Sequence, residues 1–447
     1  MNKDLQMSKL VSIDSHYRRS VKLDVDFGNA SALGAYICNR SARAVVDTLA
    51  KQITDGNQYA FTITGPYGGG KSSLALVLAS SIQSNEELRA KALQRLDKDT
   101  KSRLKVAFPF EMGRLVIPVS GSKSNPVKLI GARLNEASGK KVFDHALEDG
   151  RALIDTILKQ AKSKKHDGIV LIIDELGKLL ESCAQGDGDI NFFQDLAEAS
   201  ARSQGRLVVI GVLHQAFQQY VARLGGGFRT EWAKVQGRFI DIPLVAGADE
   251  VVNLIGKAIA SKIDHPWSEP HSKVVADLLK RNRAGLADDI LTSLDDCWPM
   301  HPVMAVLLGP FSRRQFGQNE RSVFGFLSTA EPNGFKHYLE NENDPKVVFY
   351  RPSNFWDYLK SNLEPAILTS TDAHRWAQAS EAVAKVESKG DLELIALIKN
   401  IAVIDLFKAG SGLDATEEIL QSLWPSISKS GLSDALCKLA EMRVAIF

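Results

Sequence analysis

Gly65, Gly70, Lys71 and Ser72 fall at the fixed positions of the pattern G-x-x-x-x-G-K-[ST], in the run Gly65-Pro66-Tyr67-Gly68-Gly69-Gly70-Lys71-Ser72. Glycines let the main chain curl until several N–H groups converge, and a helix starting there adds partial positive charge, which together make an anion site. Lysine at this place reaches the β- and γ-phosphates of a nucleotide, and the serine hydroxyl can bind Mg²⁺. Ser73, next in line, completes a cradle from Gly65 to Ser73. The pattern has physical meaning only between a strand and a helix. Tyr59-Ala60-Phe61-Thr62-Ile63-Thr64 reads as the strand, and the apolar run from Ser73 to Ala79 as the helix. An ordinary glycine-rich turn is the alternative, but it does not require that setting. The residues imply binding of a nucleoside triphosphate.

A second cluster lies at Gly168-Ile169-Val170-Leu171-Ile172-Ile173-Asp174-Glu175. The aliphatic run predicts a central parallel strand buried on both faces, and ligands of open α/β sheets sit at the C-terminal ends of such strands. Asp174 is placed to hold Mg²⁺ and Glu175 to orient an attacking water. An acidic pair after a strand also serves as a helix cap; beside a phosphate loop, hydrolysis is the stronger reading. A third strand, Arg206 to Leu213, ends at His214-Gln215. In ATPases with an inserted strand beside the phosphate loop, a polar residue here contacts the γ-phosphate or the water, so His214 and Gln215 are candidate sensors. Capping of a following helix, Ala216 to Val221, stays open beside that role. Leu115-Val116-Ile117-Pro118-Val119 is a further strand whose proline predicts an edge or a bulge. Strands alternating with helices give an α/β fold with a parallel sheet covered on both faces.

Downstream, Gly225-Gly226-Gly227 predicts a mobile loop. Arg238 stands immediately before a last short strand, Phe239 to Ile242, where an arginine can reach across a subunit boundary to a neighbour's γ-phosphate. Arg229 is a second candidate, and an ion pair within the chain is the alternative for either. Residues 246–330 read as helical, with helices at Glu250 to Ile259 and after His301-Pro302. A capped helix over Gly317 to Leu327 carries Arg321 in its first turn. A cation there calls for an anionic partner, either nucleotide phosphate or a carboxylate such as Glu320. The tail offers helices Leu392 to Phe407, Ala415 to Leu423 and Gly431 to Met442, then a strand from Arg443 to Phe447. Three helices and a strand suggest a winged-helix-like module, which binds DNA or docks proteins. The third helix has few basic residues, which weakens the DNA reading. The apolar final strand reads as the front part of a longer protein. The expected organisation is an N-terminal segment (1–35), a P-loop ATPase core (36–245), a helical lid (246–330), a helical connector (331–390) and the winged-helix-like module (391–447).

Bulk properties narrow the partners. The chain has 447 residues, enough for several cores, and 55 basic against 53 acidic residues leave a formal charge of +2. No global basic field advertises nucleic acid, and DNA binding is left to local patches. Cys38, Cys183, Cys297 and Cys437 form no C-x-x-C pair, which fits reduced thiols in a cytoplasm. The start, Met1-Asn2-Lys3-Asp4, lacks the apolar core of a signal peptide, and no apolar run approaches the ~18 residues that cross a bilayer. A soluble, cytoplasmic chain without a membrane partner is expected.

In order, the phosphate loop, Asp174-Glu175, His214-Gln215, Arg238 and Arg321 resemble the Walker A, Walker B, sensor 1, arginine-finger and sensor 2 positions of AAA+ ATPases. The sensor 1 position departs from the usual Asn, Ser or Thr. With the helical lid and tail, the chain looks most like the origin-recognition (ORC-like) branch. The runs Trp232 to Phe239 and Gln318 to Ser322 look similar to large ATPases of bacterial antiphage defence, such as BREX systems. This resemblance implies ATP hydrolysis with Mg²⁺, self-assembly into a homo-oligomer, and coupling to a protein effector subunit or DNA in phage defence. A nucleotide-locked signalling or scaffold switch, and a DNA-binding initiator or loader, are the alternative functions.

Overall fold

The computed structural model describes residues 6–14, 17, 21–34, 36–66, 68–109, 111–144, 146, 148–214, 226–283, 285–314, 323–345 and 349–444, with main chain alone for 226–230. Tyr67, Gln215, the expected helix Ala216 to Val221, Gln318 to Ser322 with Arg321, the side chain of Arg229, and Ala445 to Phe447 lie outside the described residues. The chain divides into two compact units, Ser20–Ala246 and Met1–Arg19 with Gly247–Phe447.

Along the described chain the strands are β1 (Val11–Ile13), β2 (Ala60–Thr64), β3 (Leu115–Ser120), β4 (Ile169–Asp174), β5 (Leu207–Leu213), β6 (Ile240–Pro243) and β7 (Ile259–Ser261). In the unit Ser20–Ala246, five of them form a parallel sheet in the order β3-β4-β5-β2-β6. The fold class is therefore α/β, as the alternation of strands and helices predicts. Pro118 sits in β3, at a sheet edge, where a missing N–H costs no ladder bond.

The unbroken aliphatic run of β4 has a direct cause. Successive strand residues point to opposite faces. Ile169, Leu171 and Ile173 enter one apolar layer, with the helices Pro126–Ser138, Gly150–Ala161, Leu176–Ala184 and Asn191–Arg202. Val170 and Ile172 enter the other, with the helices Arg40–Thr54 and Lys71–Ile82. Both faces are covered, so no polar alternation survives. The buried hydroxyls of Thr62 and Thr64 in β2 are satisfied sideways, donating to Asp241 on β6 at 2.9 and 3.2 Å.

The glycine triplet departs from expectation. Gly226 and Gly227 open the helix Gly226–Gln236 instead of a loop. Trp232 and Val235, three residues apart and both fully buried, draw this segment onto the sheet as a helix.

The other unit is mainly helical. Its small sheet pairs β1 with β7 antiparallel, Val11 opposite Ser261 and Ile13 opposite Ile259. The helix Ala248–Ala258 stops before Ile259, which the expected helix had included; pairing with β1 takes that residue instead. The tail contains the helices Leu392–Phe407, Glu417–Leu423 and Lys429–Glu441. The expected final strand does not begin at Arg443, whose φ of +55° is left-handed and ends the preceding helix. No helix among the described residues is long and apolar enough to cross a membrane.

Candidate nucleotide site

The phosphate loop runs from the end of β2 into the helix Lys71–Ile82. Its first glycine is dictated by packing: a Cβ on Gly65 would lie 2.2 Å from the carbonyl oxygen of Leu244. Leu244 is held there because its N–H donates to Thr64 O at 2.7 Å, continuing the β2–β6 ladder. Gly70 caps the helix at φ +80°, a conformation costly to any residue with a Cβ. The side chain of Lys71 is buried and folds over the loop, its Nζ donating to Gly65 O at 2.7 Å and Pro66 O at 2.6 Å. Gly68 and Gly69 complete the turn, with Gly69 N–H on Pro66 O at 3.3 Å. Ser72 and Ser73 lie in the first turn of the helix, half-buried.

Strand order brings the acids to the loop. β5 lies between β2 and β4, so the inserted strand expected from the sequence is present. Parallel register then puts the ends of β2, β4 and β5 at one edge of the sheet. There Asp174, buried at the end of β4, has the Ser72 hydroxyl beside it, close enough to favour its charged form, and accepts a hydrogen bond from Glu175 N–H at 2.9 Å. Burial pushes the Asp174 carboxyl above its ordinary 3.8, against the pull of those two donors. A buried carboxylate touching a serine hydroxyl is a pair of hard oxygen donors, and these residues fit Mg²⁺.

Glu175 takes φ +53° and ψ +38°, left-handed and uncommon for a residue with a side chain. It precedes the helix Leu176–Ala184, yet its carboxylate makes no cap bond. Instead Oε2 accepts from Lys178 Nζ at 2.6 Å, and Oε1 lies 3.7 Å from His214 Nε2. His214 and Lys178 hold the carboxyl below its ordinary 4.5, with burial opposing. Of the two candidate sensors, His214 thus faces the Glu175 carboxylate.

Two close approaches, unread in the sequence, shape this edge. Gly121 follows β3, and a Cβ there would meet Glu175 O at 2.3 Å; its N–H donates to Asp174 O at 2.7 Å. Gly211 in β5 leaves room for Leu176, whose Cδ2 would lie 2.4 Å from a Cβ. A glycine directly after a strand and another inside one were the available signals.

Arg238 is elsewhere. Ile240 stands opposite Phe61, so Arg238 lies beside the start of β2, about 20 Å of strand rise from the phosphate loop. Its guanidinium pairs with Glu198 Oε1 at 3.1 Å, and Arg202 takes the other oxygen at 2.7 Å. The structure brings together Gly65, Pro66, Gly68 to Ser73, Asp174, Glu175 and His214, and leaves Arg238 outside that cluster.

No family model and no curated protein matches the chain. Among solved structures it is similar to the Aeropyrum pernix ORC2 protein in its ADPNP–ADP complexes, at 10% identity and TM-score 0.37, covering 98% of this chain and 100% of that chain. The ADP form of that protein gives 10% identity and TM-score 0.33 over 62% and 73% of the two chains. C. elegans PCH-2 gives 11% identity and TM-score 0.26 over 72% and 65%. Overlaps this loose assign neither a family nor an activity.

Proposed function

We propose that the unit Ser20–Ala246 binds ATP with Mg²⁺ and hydrolyses it as an AAA+ module of origin-recognition type. The carrying observation is the joining of loop and acid: Asp174, at the end of a strand not adjacent to β2, lies close enough to Ser72, at the helix end of the phosphate cradle, for that hydroxyl to favour its charged form. In this reading the loop amides and Lys71 grip the β- and γ-phosphates, and Ser72 with Asp174 hold the metal. Mg²⁺ bound there neutralises charge on the phosphate oxygens. Glu175 orients the water, and His214 fixes the Glu175 carboxylate. Lys71 must leave the carbonyls of Gly65 and Pro66 to reach the phosphates. Arg321 is assigned to the nucleotide phosphates by its motif position alone.

Arg238 supports self-assembly. It is too far from its own loop to touch a γ-phosphate, so a finger at this position serves a second copy of the chain. Coupling to an effector subunit or to DNA, and a place in phage defence, extend the proposal on the short runs Trp232 to Phe239 and Gln318 to Ser322. A cytoplasmic setting goes with them.

The test is retention of labelled ATP in the presence of Mg²⁺. Wild-type protein should hold it, and Lys71→Ala should weaken binding at least about 100-fold, losing charge-assisted phosphate contacts. Equal retention by both proteins would refute the cradle. One observation favours a second reading, a nucleotide-locked switch with little turnover: Glu175 is already engaged by Lys178 and His214. Steady-state phosphate release separates the two.

A further inference from the structure

Outside the loop and the acids, a buried carboxylate sits one strand away from Asp174. Ser120, the last residue of β3, is directly opposite Asp174 in the parallel register. Residues directly opposite one another in a sheet point to the same face. Ser120 therefore faces the side on which Asp174 meets Ser72. There its hydroxyl donates to Asp24 Oδ1 at 2.6 Å, and Asp24 N–H returns a longer bond to Ser120 Oγ at 3.4 Å.

Asp24 belongs to a short N-terminal helix, Leu23–Asp26, whose Leu23 packs in the same apolar layer as the helix Lys71–Ile82. Its side chain is 5% exposed, and Arg133 completes the site with a 2.5 Å bond from Nη2 to Oδ2. Arg133 comes from the helix Pro126–Ser138, whose apolar face packs in the opposite layer. The Asp24–Arg133 pair thus closes around the free edge of β3. Immediately after Ser120, Gly121 donates its N–H to Asp174 O and abuts Glu175 O.

We infer that Ser120 and Asp24 are positioning residues for the hydrolytic acids, holding the end of β3 so that Gly121 fixes the main chain of Asp174 and Glu175. The inference rests on the hydrolytic reading of those acids. Glu175 needs such support. It occupies left-handed φ,ψ space that persists only where neighbours over-determine it. Neither Ser120 nor Asp24 touches the reacting atoms, so both act through the Gly121 contact. A buried, ion-paired aspartate could instead anchor the N-terminal helix and nothing more, and the two roles part in the kinetics.

The experiment is a double-mutant cycle read by kcat, ATP Kd and Tm together. Ser120→Ala and Asp24→Ala should each lower kcat about tenfold, the order expected when a reacting group is displaced by a fraction of 1 Å. ATP Kd should stay within about twofold of wild type, because neither residue belongs to the cradle. The double variant should be no slower than the worse single one, since both act on one path. Ser120→Thr, which keeps the hydroxyl, should restore the rate. Unchanged kcat in Ser120→Ala, losses that multiply in the double variant, or losses that only track the folded fraction would overturn the inference. Should Asp24→Ala fail to fold, Ser120→Ala and its threonine rescue decide alone. Wild-type protein that holds ATP but releases no phosphate would sink the hydrolytic reading and this inference with it. Wild-type turnover with an unaffected Ser120→Ala would sink the inference only.

Discussion

At the C-terminal end of the parallel sheet, Gly65, Gly121 and Gly211 stand where a Cβ would collide with a neighbour, and Asp174 is buried with its pKa raised. At the opposite end, Arg238, Arg202 and Glu198 form a chain of ion pairs in which the Arg238 side chain is 52% exposed. One end is dense and desolvated; the other is wet and exchangeable. Charges in a water-poor setting interact strongly and tolerate little displacement, whereas exposed pairs contribute at most about 1 kcal/mol and give up a partner readily. Under the function we propose, the ends would do different work: the first would handle phosphate and metal within one chain, and the second would offer a cation to another chain.

The largest expected effect tests that division. Arg238→Ala should lower phosphate release by about 10³-fold or more, as loss of an arginine finger does. Mixing it with Lys71→Ala protein, which is dead at its own loop but carries Arg238, should restore part of the rate. If no mixing ratio restores activity, the two ends do not serve different copies.

Glu175→Gln, at the dense end, should cut phosphate release by about 10³-fold through loss of the water-orienting base. It should leave ATP binding near wild type in a filter or calorimetric assay. Undiminished release would move the chemistry to another residue and remove the reason for the strained backbone at Glu175.

The smallest effect is on stability. Asp174 has a raised pKa in the folded chain, so its charged form opposes folding when no metal is bound. This penalty is absent below pH 3.8, where the group is protonated folded and unfolded, and it grows as pH rises through the folded value. Asp174→Asn should therefore raise the metal-free Tm at neutral pH by a few degrees, since ~1 kcal/mol moves Tm by about 2–4 °C in a domain of this size. It should also abolish the further rise in Tm that Mg²⁺–ATP gives wild type. A lower metal-free Tm would show that Asp174 is held by partners, not strained by burial.

Much of this was legible in the residues. The phosphate loop, β2, β4 and β5 could be read because their signals are local: fixed glycine spacing, and aliphatic runs buried on both faces. Pro118 announced an edge strand for the same reason. Other features depend on what arrives from far along the chain. Val11 to Ile13 is too short to advertise a strand, and it becomes one by pairing with Ile259 to Ser261. Gly226 and Gly227 suggested a loop because glycine disfavours helix locally, and the burial of Trp232 and Val235 outweighed that preference. Gly121 read as part of a polar loop, since the Glu175 carbonyl it admits is 54 residues away in sequence, a spacing no local pattern encodes.

By itself, the order of residues determined which groups exist for chemistry: a loop able to curl around phosphate, two acids ending an aliphatic strand, a histidine ending another, and an arginine ahead of the last. Backbone conformational limits and side-chain hydrophobicity act over a few neighbours, and they suffice for that. Which groups share an end of the sheet was decided only in three dimensions. Inserting β5 between β2 and β4 placed Asp174 against Ser72, and the pairing of Phe61 with Ile240 left Arg238 at the far edge. Strand register depends on the packing of both faces at once, and no single stretch of sequence carries that information.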